Sequence, residues 1–200
     1  MNDYQLRFLK QSVLGQQVNM NNSEDIIKKC IELADRDMMS GGRFVSNQFK
    51  LKTKKERVSY IIKILDDNSY AYTKIDKIKI CEDIFWKCDE EKTKTVNGTT
   101  RNYKPFGLAQ KLVNMTYKYL YVFKDHIGDL KIDFSKCECP LDSVVLQKLG
   151  CPSKWTNITP EEYDCIKADI NAALEDERYS SMKAEIGALA FDDNWINSDN

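Results

Sequence analysis

Two hundred residues, 42% of them hydrophobic, suffice for one domain with a real core. A formal net charge of −1 excludes a chain that binds polyanions with its whole surface, although not one with local basic patches. No apolar run is long enough to span a bilayer and "MNDYQLRFLKQ" lacks a signal-peptide pattern, so the chain reads as cytoplasmic, with no membrane partner.

Taken in chain order, the predicted elements are helical nearly throughout. "SEDIIKKCIELADRD" opens on Ser23 as a cap and repeats Ile27, Cys30, Ile31 and Ala34 at helical spacing. "GGRFVSNQFKLK" reads as a short β-hairpin or a loop. "TKKERVSYIIKILDD" joins Thr53 to Glu56 three residues on, a capping-box signature, and continues with Val58, Ile61, Ile62 and Leu65. "KIDKIKICEDIFWKC" predicts a helix with the stripe Ile75, Ile78, Cys81, Phe85 and Cys88, ending near Cys88. "GLAQKLVNMTYKYLYVF" predicts a helix over 107–123 with Leu108, Leu112, Met115 and Tyr119 on one face, and Lys111 falls on that same face. "CPLDSVVLQKLG" offers Pro140 as a first helical residue and Gly150 as a stop. "TPEEYDCIKADINAAL" has a second capping box, Thr159 with Glu162, and a stripe of Tyr163, Ile166, Ile170 and Leu174. "SMKAEIGALAF" predicts a last helix. The fold class is all-α: one compact helical domain over 1–200, with N-terminal helices and a loop to residue 50, a core over 51–200 and at most one short β-hairpin.

Charge is uneven. From Lys92 to Lys111 there are five basic residues and no acid, with a turn signal at Asn97-Gly98. "KLKTKKER" (50–57) is a second basic run, and Asp192, Asp193 and Asp199 crowd the C-terminal end. Each basic run reads either as a solvated segment or as one that faces phosphates. Seven cysteines, with Cys137 and Cys139 as a C-x-C pair and Cys151 and Cys165 scattered, do not have the paired spacing of a structural zinc site. They are expected as free thiols, with no metal. His126 is the only histidine, and there is no H-E-x-x-H, phosphate loop or G-x-G-x-x-G. No cofactor is implied.

A lysine on an apolar helix face either snorkels to water or holds a partly desolvated amine that can act as a nucleophile. Two windows bear on the choice. Gly107-Leu108-Ala109-Gln110-Lys111 opens one helix, and Pro140-Leu141-Asp142 precedes another, 31 residues later. Together they resemble the helix-hairpin-helix DNA glycosylases, in particular the compact archaeal-type 8-oxoguanine branch. That family has a G-x-G-x-K hairpin supplying a catalytic lysine and a later P-x-D supplying a catalytic aspartate. Ala109 departs from the pattern, standing where a second hairpin glycine is usual. The iron–sulfur cysteine pattern of a sister branch is absent. The resemblance implies a helix-hairpin-helix element and a DNA glycosylase with lyase activity, acting on an oxidised or modified purine. Lys111 would attack C1′ of a flipped nucleotide and Asp142 would stabilise the developing charge. It also implies duplex DNA as partner to a monomer. Flat partners for the base would come from Phe85, Trp86, Tyr103, Phe106, Trp155 and Trp195. Arg101, Lys104, Gly107 and Gln110 would face the DNA. The alternatives are a non-catalytic helical protein that binds nucleic acid or a nucleotide, as in phage defence or counter-defence, and a protein–protein adaptor.

Overall fold

The structure, a computed structural model, describes residues 22–128 and 130–191. Among them are seven helices and one two-stranded sheet, so the chain is mainly helical. In chain order they are α1 (Ser23–Gly42), α2 (Lys54–Asp67), α3 (Lys77–Ile84), β1 (Lys92–Val96), β2 (Thr99–Tyr103), α4 (Pro105–Val122), α5 (Ser143–Lys148), α6 (Pro160–Ala173) and α7 (Ser180–Ile186). Short 3₁₀ turns fill several of the joints. No described helix is long and apolar enough to cross a membrane.

α4 is the centre. Every residue from Pro105 to Val122 is buried, and α1 and α3 pack along it. The stripe of Leu108, Leu112, Met115 and Tyr119 is therefore only part of its buried surface. A helix enclosed on all sides has no polar face to offer water, so each polar group on it needs a protein partner. One hydrophobic cluster joins Ile26 through Phe49 to the residues after 50, so the core is continuous across that point.

The caps lie close to where the sequence puts them. Thr53 with Glu56 and Thr159 with Glu162 both form reciprocal capping boxes. The first helix is capped by Asn22 rather than Ser23, with Asn22 Oδ1 accepting from the Glu24 and Asp25 amides. "GGRFVSNQ" is not a hairpin: α1 runs on through Gly42, and a 3₁₀ turn covers Arg43–Gln48. A Cβ on Gly41 would stand 2.3 Å from the Trp155 ring, so a close approach, not a chain break, asks for glycine there.

α3 is shorter than predicted and rotated. It buries Ile80, Cys81 and Ile84 and leaves Ile78 47% exposed. After it, Phe85 and Trp86 turn into the core beside Phe49, with ring centroids 4.8 and 6.1 Å away. The hairpin lies instead at 92–103. Asn97 (φ 51°) and Gly98 (φ 76°) take positive φ at the two central turn positions, as a two-residue hairpin loop demands. A β-ribbon thus stands between α3 and α4, where the resemblance implies a tight glycine hairpin.

The basic run 50–57 is largely engaged by the protein itself. Arg57 grips Asp35 through two bonds of 2.5 and 2.9 Å, tying α2 to α1. Lys50 donates to the Glu82 carbonyl at 2.6 Å and Lys54 pairs with Glu32 at 3.3 Å.

Candidate functional site

Gln110, Lys111 and Asn114 form a buried polar stripe on α4, and all three reach the same stretch of chain, residues 138–142. Gln110 Nε2 donates to the Leu141 carbonyl at 3.0 Å and its Oε1 accepts from the Leu141 amide at 3.1 Å. Asn114 Nδ2 donates to the Cys139 carbonyl at 3.0 Å. Lys111 Nζ donates to Asp142 Oδ2 at 2.9 Å. An extended segment with no helix or sheet of its own has backbone groups to satisfy, and the α4 amides supply the partners.

Asp142 caps α5, which begins at Ser143, so Pro140 precedes the helix rather than opening it. Asp142 Oδ1 accepts from the Val144 and Val145 amides at 3.0 and 3.1 Å, while Oδ2 accepts from Lys111. Burial raises the Asp142 carboxyl. The Lys111 charge and the amide hydrogen bonds outweigh burial and hold it below the usual carboxylate range. The Lys111 side chain is 8% exposed and that of Asp142 30%.

Beside this pair lies Trp155, whose ring centroid is 5.2 Å from Lys111 Nζ. The same tryptophan walls a cleft of ≈ 840 Å³ between the end of α1, β2, α5 and residues 150–156. Its aromatic faces are Phe44, Tyr103 and Trp155, its cations are Arg101 and Lys154, and no aspartate or glutamate lines it. The wall is fixed by close approach. A Cβ on Gly107 would lie 2.0 Å from the Trp155 carbonyl oxygen, and the Lys104 amide donates to the Thr156 carbonyl at 2.9 Å. Lys111 and Asp142 do not border the cleft, although Ser143 does.

Compared with known proteins, the chain matches no family model, no curated protein and no solved structure.

Lys111 and Asp142 come together, with Trp155 against them and Arg101 and Tyr103 on the cleft. The other expected site residues stand apart. Phe85 and Trp86 are 0% and 4% exposed and belong to the core, because the chain turns inward after α3. Gln110 is wholly buried, its amide engaged by Leu141, so it presents nothing to a strand. Gly107 sits in the first turn of α4 under the Trp155 carbonyl, which leaves no room there for a phosphate. Lys104 precedes α4 outside the cleft lining. Trp195 lies outside the described residues.

Sequence reasoning missed Phe44 and Lys154 on the cleft. Lys154 had a signal, since it adjoins Trp155; Phe44 had none. It also missed Glu138, which accepts from Lys77 (2.8 Å), Lys167 (2.7 Å) and Tyr163 (2.7 Å). Tyr72 Oη lies 2.8 Å from Glu138 Oε2 and 2.7 Å from Asn114 Oδ1. Burial raises this carboxyl too, but the two lysines and the tyrosine hydroxyl lower it to about 2. Among the described residues no group of three or more His, Cys, Asp or Glu side chains is arranged to hold a metal.

Proposed function

We propose that the cleft takes one nucleotide of a DNA strand, turned out of its stack, and that Lys111 with Asp142 forms the reactive pair of a DNA glycosylase with lyase activity. The observation that carries this reading is the Lys111–Asp142 contact of 2.9 Å against the Trp155 ring, which is itself a wall of an acid-free aromatic cleft. An aromatic face stacks on a base, and cations free of acidic neighbours suit the phosphates beside it.

The chemistry assigns different tasks to the two groups. An ammonium has no lone pair, so Lys111 must first yield a proton to water, and water returns one to the departing base. The Lys111 nitrogen then bonds to C1′, and the C1′–base bond breaks with its electron pair leaving on the base. Loss of a second proton from nitrogen and opening of the sugar ring give the imine, from which β-elimination nicks the strand. Asp142 is held below the usual carboxylate range, so it keeps its negative charge. That suits it to stabilise positive charge on the sugar rather than to store the lysine's proton. Lys111 does not border the cleft, and the Trp155 ring that does lies 5.2 Å from its nitrogen, so the wall must shift before Lys111 reaches a sugar.

A second reading has a specific observation in its favour. Both Asp142 oxygens are already engaged, and neither Lys111 nor Asp142 borders the cleft. On that reading the pair only anchors residues 138–142, and the protein binds nucleic acid without reacting.

Borohydride trapping separates the two. The protein is incubated with duplexes carrying 8-oxoguanine or an abasic site, reduced, and scored for covalent adduct. An adduct whose yield rises with pH, and which is lost in Lys111→Arg, is expected. Arginine keeps the ion pair but cannot form the imine, so this variant tests chemistry without removing the anchor. No adduct on either duplex, or one that survives Lys111→Arg, sinks the lysine mechanism and leaves the binding reading.

A further inference from the structure

Among the described residues, two cations of the β1–β2 ribbon, Lys94 and Arg101, have no acid to balance them. Its register sets Lys94 opposite Arg101 and Lys92 opposite Tyr103. Directly opposed residues of an antiparallel pair project from the same face. The other face receives Thr93 with Asn102, and Thr95 with Thr100, whose hydroxyls lie 3.0 Å apart. All the ribbon's cations therefore share one face, which is also the face of Arg101 and Tyr103 on the cleft.

Like charges placed directly opposite one another weaken a sheet. Lys92 is relieved by Glu90 at 3.1 Å. Among the described residues Arg101 meets the Phe44 ring, 5.8 Å from its guanidinium carbon, and no acid. Among the described residues neither Lys94 nor Arg101 forms an ion pair, and neither strand contains an acid. Both side chains are exposed, and Lys154 stands exposed on the cleft as well. These cations are spread along a ribbon and across a groove. A chain of regularly spaced phosphates matches that spread.

We propose that this face of the ribbon is a phosphate track. The backbone of the DNA strand that delivers a nucleotide to the cleft runs along it, contacted by Lys94 and Arg101, with Lys154 as a further contact. The proposal rests on the reading that the cleft takes a nucleotide of a DNA strand. It does not require Lys111 to react.

The test is fluorescence anisotropy of a labelled undamaged duplex, and of one with a tetrahydrofuran abasic analogue, across a salt series. Wild type is compared with Lys94→Thr, Arg101→Thr and the double variant. Threonine is already the ribbon's commonest residue and keeps its strand preference. Each lost phosphate contact is expected to flatten the slope of log affinity against log salt by about 0.9, which is about eight-fold weaker binding near 0.1 M salt. Lys63→Gln, an exposed cation on α2, is expected to change neither. Thermal melts establish that the variants are folded. Wild-type affinity and slope in the double variant overturn the proposal, and so does a wild-type protein that binds neither duplex at low salt. Ribbon-dependent binding without a borohydride adduct sustains the track and removes the lysine mechanism. An adduct at Lys111 with ribbon-independent binding does the reverse.

Discussion

The protein holds its lysines and arginines in two contrasting ways. Along α4 and its neighbours three enclosed cations meet carboxylates: Lys111 meets Asp142, Lys77 meets Glu138, and Arg57 meets Asp35. On the ribbon, Lys94 and Arg101 face each other with no acid between them. The first arrangement makes structure out of charge, because a segment without helix or sheet is fixed by ionic and amide contacts. The second leaves charge available. The same residue types thus serve opposite ends, and the partner, rather than the residue, decides which.

Breaking the first arrangement should give the largest effect. Asp142→Ala strands an ammonium that is 6% exposed and removes the α5 cap together. A loss of about 3–5 kcal/mol in folding stability is expected, read from chemical denaturation. Lys111→Met with Asp142→Asn removes both charges while an amide oxygen keeps the cap, so it should recover most of that loss. A cost below about 1 kcal/mol for Asp142→Ala would mean that the pair anchors nothing, and the contrast with the ribbon would fail.

Glu138 sharpens the same point through pH. Its carboxyl lies at about 2 in the folded protein against 4.5 unperturbed. A depressed carboxyl adds stability that is fully present above the unperturbed value and disappears as pH falls through the folded one. The window is therefore from about 4.5 down to about 2. The shift corresponds to about 3 kcal/mol. Burial lowers the facing Lys77 ammonium, which takes some of that back. Glu138→Gln should accordingly be less stable than wild type at pH 7, with the gap closing steadily below pH 4.5. A gap that stays constant to pH 2.5 would show that the amide loses packing and hydrogen bonds rather than charge.

These contacts mark how far the sequence could be read. Capping boxes are local, and both are found as spelled. Lys111 and Asp142 were legible as a pair because a lysine on an apolar face demands an explanation and a second short window supplied one. Gln110 and Asn114 posed the same question on the same helix, yet amides attract less notice than charges and their partner segment, 138–142, has no pattern. Gly41-Gly42 misled because glycine reads as a break, whereas here it admits the Trp155 and Phe49 rings from distant parts of the chain. Asn97-Gly98 was a correct turn signal. The strands beside it were missed because β1 alternates lysine with threonine and β2 is mostly polar, so no apolar face marks a sheet.

The ribbon supplies the smallest stability effect and the sharpest contrast. At position 111 loss of a lysine charge removes the partner of a half-buried carboxylate and destabilises. At position 94 it removes a repulsion across the strand pair, since Arg101 is the residue opposite. Lys94→Thr should therefore raise the melting temperature slightly, by about 1 °C, because an exposed pair is worth little in water. The rise should be larger in low salt and fade as salt screens the pair. Bound duplex should invert the order, since the wild-type lysine then has a phosphate to meet and the threonine has not. A Lys94→Thr protein that melts below wild type in low salt, without DNA, would show that Lys94 already has a stabilising partner. It would then belong with Lys111 rather than opposite it.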